Sequence, residues 1–443
     1  MWNPVPVAAL CLAACAKAGG HGATASDTAS ATETGDPFAG NSHGPAPLDC
    51  PESSVYGGSI TFTGETAAAD AHAFCEAYNA VSVGITIWET DWQDLSPLSC
   101  LCEAPWLSIS GNEALGSLAG LDHFNGDESS VSISENPLLT NLEGLVDVPH
   151  LREFTIHDSP GITSIDGFPS AMPTESVALR SLSNLQDFSA MPEWTVVPGT
   201  LELSGLPYLV DLSPLENVTA VGNLLIADLP VASFQGLTAL VRVDTIAVEQ
   251  SVDFDSLSGL SSTLEMRELR LRALPGLEQL TGLSADFALP SLVVWDTALS
   301  SLDGLQSLTA LETLALYENS SLTSLSGLPS LTRLGDWILV DNRELADISA
   351  LGQVADIDSL GIYGSGEIAS IEAFQNLRSI GALEMNDMPL LTDLSPLYGV
   401  VELEWSIWLT DNVGITEEEC HALKDALTAN GVEAYNNVYC GWF

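Results

Sequence analysis

Positive charge is what this chain has least of. Its 443 residues hold 60 Asp and Glu against 11 Lys and Arg, a formal net charge of −49. Lys17 and Lys424 are its only lysines. Nothing here can neutralise a run of phosphates, which argues against nucleic acid as a partner. The same balance argues against an anionic membrane surface as a partner of the folded part, and favours cations or basic partners. Long apolar runs are scarce too: the one at residues 5–20 is too short to span a bilayer. Catalytic signatures are missing, with no G-x-S-x-G, no H-E-x-x-H and no phosphate-binding loop. His72, His123, His150, His157 and His421 are scattered; His157 stands beside Asp158, with no nucleophile placed by the sequence. The chain reads as a non-enzyme, with no catalytic residues, no cofactor and no metal site.

What the chain does have is repetition. An apolar residue closes a short "L-x-G-L" or "L-S-P-L" phrase at Leu98, Leu121, Leu145, Phe168, Met191, Leu215 and Leu237. The series continues at Leu260, Leu283, Leu305, Leu328, Leu351, Phe374 and Leu397. Successive gaps are 22 to 24 residues, and a fixed period in this range signals a repeat architecture. About fourteen residues before each landmark comes a short alternation, such as "VSISEN" (131–136), "LELSGL" (201–206), "LALYEN" (314–319) and "LEMNDM" (383–388). Apolar residues two apart are the mark of a half-buried strand. The following stretch is too irregular for a helix stripe, and the connection to the next strand is too short for a crossover helix. The spacing predicts a coil of rungs: strand, bend, short extended segment, bend, next parallel strand. Inward leucines form ladders, and no rung is stable without its neighbours, so the two ends need caps.

The first 49 residues differ in kind. "VPVAALCLAACAKAGG" (5–20) fits the apolar core of an export signal. "LAAC" (12–15) resembles the bacterial lipobox, which implies lipidation of Cys15 and a signal covering 1–15. "MWNP" departs from the usual pattern in supplying no Lys or Arg before the apolar run. Residues 16–49 are Ala, Gly, Ser, Thr, Asp and Pro with few large apolar groups, the composition of a tether. His21 and His43 lie within it and are weak as metal ligands.

Cys50, Cys75, Cys100, Cys102, Cys420 and Cys440 remain beyond the signal. An even number in an exported chain implies disulfides. None lies between 103 and 419, so they would reinforce the two ends. Cys420 and Cys440 are the pair at the C-terminal end. The other four allow three connectivities; Cys75 and Cys102 precede consecutive strands, which makes their stacking one candidate. "TEEECHALKDALTANG" (416–431) reads as a helix with Thr416 as cap, Glu419 completing a capping box and Gly431 ending it. It follows "IWLTDN" (407–412), taken as the last strand, and so would lid that end. "AAADAHAFCEAYNAV" (67–81) would lid the other.

The phrases "LSISGNEALGSLAGL" (107–121), "VSISENPLLTNLEGL" (131–145) and "LALYENSSLTSLSGL" (314–328) resemble leucine-rich repeats, and more closely those of receptor L-domains. "GSITFTG", "DAHAFCEAYNAVSVGITIW" and "DLSPL" are similar to the N-terminal cap of that family. The resemblance covers roughly 55–440. It implies a right-handed parallel β-solenoid of about 14–15 rungs, with 50–106 as cap and first rung, 107–412 as repeats and 413–443 as a helical cap. It also implies binding of proteins or other ligands through the exposed strand face. The asparagine this family carries after each strand stands at 112, 136, 319, 342 and 412; Leu206, Leu229, Leu274 and Met388 replace it, each followed by Pro.

On the face, the last outward position before each bend runs Glu89, Gly111, Glu135, Asp158, Ser181, Gly205, Asp228, Gln250, Ala273, Asp296, Glu318, Asp341, Gly364, Asp387, Asp411. Two readings compete: these carboxylates accept turn N–H groups, or the column attracts Ca²⁺ or a basic partner. The neighbouring column gains aromatics in the C-terminal half: Trp295, Tyr317, Tyr363 and Trp408, with Val340 among them and Trp88 at the opposite end. Arg270 and Arg272 share one strand and are expected to pair with nearby carboxylates. The candidate face is therefore Trp295, Tyr317, Val340, Tyr363 and Trp408 with Asp296, Glu318 and Asp341. Its expected partner is a protein or polysaccharide at the cell surface, with the membrane met only through the N-terminal lipid.

Overall fold

The computed structural model describes residues 54–441, apart from 122, 126–127, 146–147, 149–150, 169–172, 192–193, 262, 284–288, 307, 309–310 and 329–330. Cys15, the tether, Cys50 and His150 therefore lie outside the described residues. The chain opens with β1 (Val55–Tyr56), β2 (Ser59–Thr63), α1 (Ala67–Ala77), β3 (Ala80–Val81) and β4 (Gly84–Trp88). One strand per rung follows: β5 (Trp106–Ser110), β6 (Ser130–Ser134), β7 (Glu153–His157), β8 (Ser176–Arg180), β9 (Val196–Ser204), β10 (Ala220–Ala227) and β11 (Arg242–Glu249). Then come β12 (Glu265–Leu274), β13 (Ser291–Thr297), β14 (Thr313–Tyr317), β15 (Arg333–Val340), β16 (Asp356–Tyr363), β17 (Ser379–Asn386) and β18 (Glu402–Thr410). The chain ends with α2 (Glu417–Ala429), α3 (Ala434–Asn437) and β19 (Val438–Gly441). From β2 through β4 to β19, each strand pairs in parallel with the next. Among the described residues no register pairs β19 with β2, so this is an open ladder rather than a closed barrel. The fold is a parallel β-solenoid of about 14 turns with a period near 23.

The alternation does what a period of two requires. Leu107 and Ile109, Val131 and Ile133, Phe154 and Ile156, Leu314 and Leu316 all point inward and are fully or almost fully buried. Twelve of the fourteen landmark residues are buried as well; Leu283 and Leu328 pack partly buried against the core. Behind the strands the two closing phrases make two different corners. "L-S-P-L" forms a 3₁₀ turn at Ser96–Leu98, Ser213–Leu215 and Ser395–Gly399. "L-x-G-L" instead puts its glycine at positive φ, as at Gly304 (φ +117°), where an added Cβ would stand 2.1 Å from the Leu280 carbonyl oxygen. Only glycine lets consecutive rungs approach that closely. The back is thus built mainly from turns; among the described residues, extended pairing there is limited to isolated bridges such as Ser164–Asp187 and Ser324–Asp347.

Both ends differ in part from expectation. At the N-terminal end α1 buries Ala67, Ala71 and Phe74, with the Phe74 ring edge-on to Phe62 at 6.0 Å. Cys75 is bonded to Cys100, with Cα atoms 5.6 Å apart, not to Cys102. The reason is register: the Cys102 N–H donates to Asn79 O, which places Cys102 over the residue four beyond Cys75. Cys102 is disulfide-bonded too. At the C-terminal end Cys420 is bonded to Cys440. There α2 is followed by a further strand, β19, which returns to pair with β18 through Ile407–Val438 and Trp408–Tyr439. Thr416 caps α2 by accepting from Glu419 N at 3.1 Å. Glu419 does not complete a capping box; its carboxylate accepts from Leu394 N at 3.0 Å and faces the Tyr398 hydroxyl at 3.4 Å. That bond ties the helix to the preceding rung.

Candidate functional site

Every strand from β4 to β18 ends the same way. All fifteen residues of the column from Glu89 to Asp411 adopt left-handed backbone, with φ between 50° and 65°. Asp and Gly tolerate that region best, which accounts for much of the column's composition; Glu318, Gln250 and Ala273 are held there against preference. The carboxylates of Asp296, Glu318 and Asp341 do not accept turn N–H groups. Their own amides donate onward instead, Glu318 to Val340 O and Asp341 to Tyr363 O, both at 2.9 Å. Backbone conformation, not side-chain capping, is the first cause of the column. Among the described residues no three His, Cys, Asp or Glu groups are arranged to hold a metal.

The next residue on each rung turns inward, and at both ends of the solenoid it carries the bend's polar bonding. Asn319 Oδ1 accepts from Thr297 N at 3.2 Å and from its hydroxyl at 2.8 Å, while Asn319 Nδ2 donates to Val294 O at 3.1 Å. Asn342 Oδ1 accepts from Asn319 N at 3.1 Å, and Asn342 Nδ2 donates to Leu316 O at 2.9 Å. Thr90, Asn112, Asn136 and Ser159 build a similar ladder at the other end. The rungs between carry Leu182, Leu206, Leu229 and Leu274, all buried, interrupted by Ser251, whose hydroxyl accepts from Leu229 N at 3.3 Å. The ladder therefore includes Thr and Ser, which a search for asparagine alone does not find.

On the exposed face two rows run across the rungs. The first holds Glu249, Arg272, Trp295, Tyr317, Val340, Tyr363 and Asn386 in direct register. The second holds Arg270, Val293, Ala315, Ile338, Gly361, Glu384 and Trp408. Trp408 thus belongs to the second row, because it stands three residues before Asp411 rather than one. Trp295 and Tyr317 are in ring contact at 5.5 Å, and the Arg272 guanidinium lies over Trp295 at 4.7 Å. An added Cβ on Gly361 would fall 2.6 Å from the Tyr363 ring, so Tyr363 lies down across that glycine. Its hydroxyl donates to Glu384 at 2.5 Å, and burial first, then Glu384, pushes its pKa well above the usual tyrosine value. Trp408 stacks on Tyr439 at 4.2 Å. The N-terminal half of the second row is different, with Thr86, Ser108, Ser132 and Thr155 in register.

The few cations on this face are engaged. Arg270 meets Glu268 at 2.7 Å, Arg272 stands 3.9 Å from Glu249, and Arg180 forks onto Glu202. His157 Nδ1 lies 2.9 Å from Asp158, but the adjacent Ser159 hydroxyl is buried and donates to a backbone carbonyl. A separate groove of about 830 Å³ runs along the N-terminal bends, lined by Glu65, Glu89, Asp91, Glu113, Glu135 and Asp158 among others, with no basic residue. The C-terminal rows are the one place among the described residues where an exposed Trp joins several apolar neighbours on the strand face.

No protein family profile matches the chain, and no curated protein is similar to it. Among solved structures, it is similar to an internalin from Listeria monocytogenes, at 14% identity over 84% of each chain, with a TM-score of 0.32. The assignment of the fold rests on the strand ladder itself.

Proposed function

We propose that this chain is a non-enzymatic recognition protein of the bacterial cell envelope, anchored by a lipid on Cys15, that binds a protein partner through its exposed strand face. The observation that carries the reading is the pair of rows on β13–β16, where Trp295, Tyr317, Val340 and Tyr363 sit together on a sheet face that is otherwise mostly polar. Aromatic side chains on a rigid surface are what binding hot spots are made of. The ladder beneath fixes them in advance, so little ordering cost remains on binding. The test is crosslinking capture from envelope extract, comparing the protein with a W295A/Y317A/Y363A variant of equal folded content. A captured protein that the variant loses supports the reading; capture unchanged by the variant removes this face.

A second reading, cell-wall or exopolysaccharide binding, is favoured by Tyr363 lying over Gly361 and by the Trp408–Tyr439 stack, since flat rings suit sugar faces. Presenting polysaccharides in the same capture separates the two. A folded bait that captures nothing favours a structural spacer.

A further inference from the structure

We propose that the face on β13–β16 receives a cationic amphipathic helix of the partner protein, apolar side down and lysines or arginines along its flanks. This deepens the protein-binding reading and rests on it. The dimensions come first. Four parallel strands about 4.8 Å apart make an apolar strip roughly 15 Å long, and two rows two residues apart make it roughly 7 Å wide. An α-helix laid across the strands would present about ten residues over that length, with a stripe of matching width. The two short ends of the strip are stopped by Arg272, packed on Trp295, and by Glu384, holding Tyr363.

Charge decides the class. One long edge of the strip is acidic, with Asp296, Glu318 and Asp341 following the aromatic row, and the other is polar with one carboxylate: Ser291, Thr313, Asp336 and Ser359 in register. Asp296, Glu318 and Asp336 are exposed or nearly so and make no ion pair among the described residues. Asp341 has only Arg343, at 4.0 Å. Between residues 291 and 412 the basic residues are Arg333, Arg343 and Arg378, against eighteen Asp and Glu. Arg333 is tied to Asp358, and Arg378 donates to the Leu377 carbonyl. An acidic or neutral helix would leave these carboxylates repelled or unpaired; a helix with basic flanks would meet Asp296, Glu318 and Asp341 along one side and Asp336 on the other.

The probe is a labelled fourteen-residue peptide of Leu and Lys, with Leu on one helical face, followed by fluorescence anisotropy with the whole protein. Two control peptides replace Lys by Glu, or Leu by Ser. The Leu/Lys peptide is expected to bind, the Leu/Glu peptide not to bind, and the Ser/Lys peptide to bind about tenfold or more weakly. D296N/E318Q/D336N should weaken binding about tenfold. E113Q/E135Q/D158N removes the same charge from the N-terminal groove and should change it less than twofold. W295A/Y317A should abolish it, with all variants melting as folded proteins. Equal loss in the two charge variants would reduce the effect to the bulk field and overturn the proposal, as would binding of the Leu/Glu peptide. Displacement of the peptide only by oligosaccharide, with no partner protein captured, would overturn the protein-binding reading itself. If capture of a protein is lost in W295A/Y317A/Y363A but untouched by D296N/E318Q/D336N, the face binds protein and this inference about its class fails.

Discussion

Replacing Asn319 by Ala tests whether the buried polar ladder holds the rungs in place. Asn319 is fully buried and serves two strands at once. The Ala variant leaves Thr297 N–H without its acceptor, the Thr297 hydroxyl without its 2.8 Å partner and Val294 O without its donor. An unmet buried group costs about 1–3 kcal/mol, and part of the strain relaxes, so the sum is about 4 kcal/mol. If the described solenoid melts as one unit, its unfolding entropy is about 0.8 kcal/mol per kelvin, and Tm should fall about 5 °C. If it melts in parts, the fall is larger and confined to the affected rungs. The assay is a thermal melt beside hydrogen exchange, with the exposed neighbour Ser320→Ala as control. A fall below 1 °C, or one equal to that of S320A, would refute the reasoning. So would faster exchange spread evenly over all rungs.

Gly304→Ala places a Cβ 2.1 Å from Leu280 O at φ +117° and should destabilise by roughly 3 kcal/mol, whereas Gly116→Ala, with nothing closer than 3.9 Å, should leave the melt unchanged. Asp187 is held below the usual carboxylate range by the N–H and then the hydroxyl of Ser189. A lowered folded pKa gives stability that is present above the unfolded pKa and lost as pH falls through the folded one. The Tm gap between the protein and D187N should therefore narrow from pH 6 toward pH 3, and a constant gap would contradict the assignment. The C420S/C440S variant opens a link spanning 20 residues and should cost about 2–4 kcal/mol, with faster amide exchange at 402–441 and none at 84–134.

The rungs were legible because leucine, glycine and proline repeat at a period that survives single substitutions. The acidic column was visible but its cause was not. Gly111, Gly205 and Gly364 share a column with Asp, Ser and Glu, and glycine exchanging with aspartate is the signature of left-handed backbone rather than of a side chain accepting bonds. Trp408 falls outside the aromatic row because a strand has two outward positions, and only the distance to the left-handed residue separates them. β19 leaves no clear mark in the sequence because "NNVYC" is short, lies beyond a strong helix and owes its conformation to Ile407–Thr410 beside it. The Cys75–Cys100 bond depends on how the segments between the strands align, Cys102 standing over Asn79 rather than Cys75, and sequence periodicity does not resolve that.

The candidate face and the ladder occupy the same rungs, and this links stability to recognition. Thr297, Asn319 and Asn342 close the bends of β13, β14 and β15, and the residues two before them are Trp295, Tyr317 and Val340. Between each buried polar residue and its exposed partner stands only the left-handed residue, whose amide is fixed by the next strand. Movement at the ladder must then move the aromatic row. The rungs of Leu182, Leu206 and Leu229 fill the same bend position with leucine, and their outward neighbours are Arg180, Ser204 and Ala227, with no aromatic among them. A polar ladder resists sliding because its bonds have direction, while leucines tolerate small shifts. If binding depends on preorganisation, Asn319→Ala held well below its Tm should still weaken the Leu/Lys peptide severalfold, chiefly through faster dissociation, although no face residue has changed. Unchanged dissociation from a folded N319A protein would separate the two roles and leave the ladder as scaffold alone.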